Sequence, residues 1–212
     1  MFARRVPCIL SRFRSVQAQS SGSWEFHGTR TAAGKPPRID SCRHLTSTST
    51  STMPRATETA SFKFNHTMLR VKDPKVSLDF YQNVIGMDLL SVKKMSDFTL
   101  YFLAFNHEGR DLSPEEKEAS RFGREGVLEL THNHGTENDP EFKGYASGNT
   151  DPGRGFGHIA LTVADVDKAC ERFDQLGVQF KKRPTDGKMR HIAFILDPDG
   201  YWIEIVPDRM PL

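Results

Sequence analysis

The sequence predicts an α+β fold built from two copies of one βαβββ module, and three observations carry that reading. HTMLRVKDPKVSLDFYQNVIG at 66–86 is echoed by HIALTVADVDKACERFDQLG at 158–177. Each copy passes from an alternating apolar stretch into a helical stripe. Each is then followed by apolar strands, the last of which holds a glutamate: Glu129 in VLELTHN and Glu204 in WIEIV. Self-similarity of this kind marks a duplicated structural unit whose copies share a core.

In the first copy HTMLRV alternates as a half-buried strand does. Asp73 is a cap and Pro74 suits a first helical turn. Val76, Leu78, Phe80, Tyr81 and Val84 predict a helical stripe that ends near Gly86. MDLLSVKK, TLYFLAF and GVLELTH follow as three strands. The second copy repeats the order: HIALTV, a helix from Asp165 to Leu176 closed by Gly177, then VQFKK, HIAFILD and YWIEIV around the turn DPDG. Phe80, Tyr81 and Phe173 read as core. The copies differ in their connections, because NHEGRDLSPEEKEASRFGRE is a long polar loop where the second copy has only the DPDG turn. A second long segment, 133–157, joins modules assigned to 62–135 and 155–207.

Upstream of the modules, residues 1–61 read differently. MFARRVPCILSRFRSVQAQSSGSW spreads arginines among apolar residues and serines with no acid before Glu25, the pattern of a mitochondrial transit peptide. The Ser/Thr/Pro-rich stretch that follows reads as disordered linker, and Met53 after it offers a second start that would give a cytosolic form. Residues 1–52 carry eight Lys/Arg and two acids of the 29 and 27 in the chain. The remainder is thus mildly acidic, which argues against a nucleic-acid partner. No apolar run is long enough to cross a bilayer. With Cys8 and Cys42 in the leader, Cys170 alone lies in the folded part, where it reads as a small buried hydrophobe and leaves no disulfide framework.

Each half offers one imidazole and one carboxylate at matching places, His66 with Glu129 and His158 with Glu204. A single histidine or glutamate at a strand is ordinarily a plain surface or core residue, but the same pair recurring in two copies of one unit predicts a metal site. Two imidazoles and two carboxylates suit Zn²⁺, Ni²⁺, Co²⁺ or Mn²⁺ with a position left open. The ion would act as a Lewis acid, and a neighbouring carboxylate as a general base. No dinucleotide or flavin fingerprint is present.

The segments HTMLRVKDP, LDFYQNVIGM, LYFLAF, LELTHNHGTE, GFGHIALTV and DGKMRHIAFILDPDGYWIEI together resemble the glyoxalase I family of the vicinal oxygen chelate superfamily, over residues 62–210. The resemblance implies a cup-shaped mixed sheet around a metal held by His66, Glu129, His158 and Glu204. It implies isomerisation of the glutathione–methylglyoxal hemithioacetal to S-lactoylglutathione through an enediolate. Glu204 would be the principal base, with Glu129 acting on the other stereochemical face. It places Arg70, Asn133 and Arg154 at the γ-glutamyl end of glutathione, with Lys188 and Met189 at the glycyl end. The familiar animal enzymes have Gln where this chain has His66, and many nickel-favouring bacterial members have His. The long loops resemble the zinc-using eukaryotic branch, so zinc is preferred over nickel or cobalt. Gly153, inserted before Arg154, is a smaller departure. The family also implies a homodimer with its sites at the interface, although two modules in one chain can in principle close the cup internally. Rival readings are a dioxygenase or epimerase of the same scaffold, or a non-catalytic small-molecule-binding module.

Overall fold

A computed structural model describes residues 57–210 of the 212-residue chain. The basic leader, Met53 and both leader cysteines lie outside the described residues, and Thr57–Thr59, at the end of the segment read as linker, forms a 3-10 turn.

The first module comprises β1 (His66–Val71), α1 (Pro74–Asp79), β2 (Asp88–Lys94), β3 (Phe98–Ala104), α2 (Pro114–Ser120) and β4 (Val127–Asn133). Its sheet runs β1-β4-β3-β2, with β1 and β4 parallel and the other pairings antiparallel. The second module comprises β5 (His158–Val163), α3 (Val166–Gln175), β6 (Phe180–Lys182), β7 (Ala193–Leu196) and β8 (Trp202–Pro207), in the equivalent order β5-β8-β7-β6. In each module the last strand thus lies beside the first, which brings the glutamate strand next to the histidine strand.

Sequence alternation decides which face is buried. Along β1, Leu69 and Val71 are buried while His66, Met68 and Arg70 are exposed. In β8, Ile203 and Ile205 are buried and Trp202 and Glu204 are half-buried. The buried faces meet the helices in one core to which both modules contribute, with Tyr81, Leu103 and Leu130 beside Phe173, Ile195 and Ile203. Burying each such large side chain contributes about 1.5–3 kcal/mol. Cys170 belongs to this core as a free thiol, and burial raises its pKa, as expected of a small hydrophobe.

Two elements depart from the sequence reading. The first helix is α-helical only through Asp79. It continues from Phe80 to Ile85 as a π-helix that ends at Gly86, whose φ of 93° favours glycine. Val76 faces outward instead of joining the stripe, while Ser77 turns inward and donates to Asp199 at 3.2 Å. The polar segment between β3 and β4, read as a loop, contains α2 and a 3-10 turn, Arg121–Gly123. Ser113 and Glu116 form a reciprocal capping box with Pro114 in the first turn. The S-P-E-E spacing was visible in the sequence, but the segment has no apolar stripe to announce a helix.

Candidate metal centre

In each module the strand register places the histidine and glutamate on the open face. Glu129 lies opposite Met68 and Glu204 opposite Ala160, so each carboxylate stands two residues along from the histidine that begins the neighbouring strand. His66 Nε2 is 3.2 Å from Glu129 Oε2, and His158 Nε2 is 3.1 Å from Glu204 Oε2. Two atoms each held about 2.0–2.1 Å from one ion, at an angle of roughly 90–110°, stand about 2.9–3.4 Å apart. Both pairs therefore have the bite of two ligands on a single divalent cation, and nitrogen and oxygen donors suit zinc, nickel or cobalt.

A phenylalanine completes each half. Phe102 is the ladder partner of Glu129 and Phe194 that of Glu204. Their rings meet the imidazoles edge-on, at 6.0 Å for His66 and 5.2 Å for His158. Sequence reasoning missed both residues, because an apolar side chain in an apolar strand carries no separate signal.

The four ligand candidates do not gather within one chain. They form two half-sites, and among the described residues no cluster of three or more metal-ligating side chains occurs. The His66 and His158 side chains keep 37% and 41% of their surface exposed, so both half-sites open outward.

The two half-sites differ in what supports them. His66 Nδ1 lies 2.8 Å from Asn65 Oδ1, and Asn65 Nδ2 donates to the carbonyls of Arg121 at 3.0 Å and Arg124 at 2.8 Å. Thr131 donates to Glu129 Oε1 at 3.3 Å. Asn65, like the phenylalanines, was not singled out from the sequence.

The structure distributes the five glutathione-end candidates over three regions. Arg70 and Asn133 share the open face of the first sheet, since Arg70 pairs in register with Thr131 on that face. Among the described residues the Arg70 guanidinium has no acidic partner and Asn133 Nδ2 has no acceptor. The Tyr145 hydroxyl donates to Asn133 Oδ1 at 3.2 Å, which leaves the amide nitrogen to face outward. Burial raises the Tyr145 pKa, and the nearby Arg70 charge opposes the rise. Arg154 lies in the connection between modules, ion-paired with Asp151 at 3.0 Å, and both side chains are largely exposed. Lys188 and Met189 lie on the exposed loop between β6 and β7, where the Met189 carbonyl accepts from Lys182 Nζ at 2.6 Å.

A duplicated βαβββ unit carrying a histidine–glutamate pair in each copy defines a class: the chain belongs to the Glyoxalase/Bleomycin resistance protein/Dioxygenase superfamily, which matches residues 63–205. Particular relatives are close. The chain is 54% identical over 153 residues to a lactoylglutathione lyase of Pseudomonas putida, covering 70% of this chain and 86% of that one. It is 50% identical over 156 residues to a lactoylglutathione lyase of Schizosaccharomyces pombe, covering 73% of this chain and 50% of that one. Among solved structures, the trypanothione-dependent glyoxalase I of Leishmania major superposes with a TM-score of 0.51 at 29% identity, over 70% of this chain and 88% of that one.

Proposed function

We propose that this chain is a lactoylglutathione lyase, converting the hemithioacetal of glutathione and methylglyoxal into S-lactoylglutathione. The carrying observation is the recurrence of one histidine–glutamate pair, with ligand-like separation, in matching registers of two modules. His66, Glu129, His158 and Glu204 would hold a divalent ion, with zinc preferred over nickel or cobalt. When bound, the ion supplies Lewis acidity for negative charge that develops on substrate oxygen.

The protein's own groups perform the rest. Glu204 removes the proton from the carbon bearing sulfur and returns it to the adjacent carbon, while Glu129 can act on the opposite face. The change is an internal redox, so no electron carrier is needed. Arg70 and the outward amide of Asn133 offer paired donors for the γ-glutamyl carboxylate. Arg154, Lys188 and Met189 are assigned to the remainder of the tripeptide.

A second copy of the chain would complete each site, with His66 and Glu129 of one protomer facing His158 and Glu204 of the other. The outward-facing half-sites support this homodimer. The leader supports a mitochondrial location, with Met53 as the start of a cytosolic form. The test is direct: protein loaded with zinc should raise ultraviolet thioester absorbance when given glutathione plus methylglyoxal, and not with either alone. No rise with zinc, nickel or cobalt sinks the assignment.

A further inference from the structure

The two half-sites are equal in ligand type and unequal in support, and the difference lies one residue before each histidine. Asn65 precedes His66, whereas Gly157, with no side chain, precedes His158. We propose that Asn65 is a positioning residue that makes the first module the anchoring half of the metal centre. This rests on the metal reading above.

The two ends of the Asn65 amide are distinguished by their partners. Its nitrogen is committed to two carbonyl oxygens, those of Arg121 and Arg124, which can only accept. Its oxygen must therefore be the atom 2.8 Å from His66 Nδ1. An amide oxygen accepts, so Nδ1 carries the hydrogen, and whenever the ring is neutral Nε2 keeps its lone pair. That lone pair faces Glu129 Oε2 at 3.2 Å. Such a close pair needs a proton or a cation between its atoms, and with Nδ1–H fixed by Asn65 the ring is held in the orientation, and when neutral in the tautomer, that a metal requires. A hydrogen bond to the far nitrogen also raises ligand basicity and fixes the ring.

The second module has no equivalent. Among the described residues His158 Nδ1 has no hydrogen-bond partner, and beyond its Nε2 contact with Glu204 the ring has only the edge contact with Phe194. His158 must lose tautomeric and rotational freedom when it binds, and His66 has already lost it. The anchoring amide also ties the metal ligand to the turn after α2, whose Arg121 guanidinium stacks 4.6 Å from the Phe102 ring.

The test measures metal affinity by chelator competition on the full chain, independently of turnover. Asn65→Leu should weaken zinc binding about 10- to 100-fold, the usual effect of removing an outer-shell partner. Asn65→Asp keeps an acceptor for Nδ1–H and should recover most of that loss, although it loses the donor to the two carbonyls. In the metal-free protein, nitrogen NMR should find the His66 hydrogen on Nδ1 and a mixture of tautomers at His158, with the His66 preference lost in Asn65→Leu. Unchanged affinity and tautomer in Asn65→Leu overturn the proposal, as does failure of Asp to recover affinity when Leu loses it, since the loss would then come from the turn. Wild-type protein that binds no divalent metal would instead refute the metal reading itself.

Discussion

Glu129 and Glu204 occupy the same register in two copies of one module yet are held differently. Glu129 accepts from Thr131 as well as lying against His66, whereas among the described residues the Glu204 carboxylate has no polar partner besides His158. A carboxylate free of competing donors keeps its basic oxygen for a substrate proton, which fits Glu204 as the base. Glu204→Gln should retain metal, because an amide oxygen still ligates, while turnover falls by about two to four orders of magnitude, the usual contribution of a general base. Metal content and steady-state rates check this together, and near wild-type turnover would refute the assigned base. At this scale the four ligand candidates were legible because duplication singles out residues that one copy would leave indistinct. Asn65, Phe102 and Phe194 were not. An asparagine's role depends on which carbonyls fold back to meet it, and Phe102 and Phe194 look like any other strand residue.

Helices and strands followed their local chemistry closely. Asp165 caps α3 by accepting from the Lys168 amide, and Gly177 lies just beyond the helix with a φ of 71°. Periodicity failed where there was none to read, in α2, whose polar surface leaves its capping box as the principal sign of a helix. The connection carrying Arg154 is ordered by close backbone approach. The Gly155 amide donates to the Gly148 carbonyl at 3.0 Å, and Asn149 donates to the Gly157 carbonyl at 2.6 Å. A Cβ at Gly148 would overlap the Phe156 backbone, and its φ of +85° is one that side chains rarely adopt. Gly148→Ala should therefore open this loop. Proteolysis should accelerate between residues 148 and 157, and the Michaelis constant should rise more than kcat falls. Equal protease resistance in the variant would show that the loop does not depend on this contact.

The two modules are joined by an acidic turn, in which Asp197 is buried, as well as by the shared core. Asp197 accepts from the Tyr81 hydroxyl at 2.8 Å, and Asp199 accepts from the Lys72 amide at 2.9 Å and from Ser77, so the DPDG turn of the second module docks on the first. In the π-helical segment that continues α1, the carbonyls of Val84 and Asn83 accept from Arg172. Burial pushes Asp197 up to about 6, against the pull of its hydrogen bonds from Tyr81 and the Tyr201 amide, and burial also raises Asp199. The folded chain thus holds the Asp197 proton more tightly than the unfolded chain does. The associated stability is present in full below about pH 4 and is lost as pH rises through about 6. A proton held that much more tightly in the folded chain is equivalent to roughly 2–3 kcal/mol. Urea unfolding of the wild type and Asp197→Asn across this window should show a shallower pH dependence in the variant, and identical slopes would exclude Asp197 as the source.

The sequence by itself determined the duplicated α+β architecture and singled out the paired ligand candidates, because alternation, caps and repetition are local and each residue's neighbours in the chain reveal them. Only the tertiary structure decided that the ligand candidates pair within modules as two outward-facing half-sites, that Asn65 hydrogen-bonds the histidine of one of them, and that Asp197 and Asp199 dock one module on the other. Those outcomes depend on atoms brought together across about sixty to more than a hundred residues, and contact at such separation leaves no periodic trace in the chain.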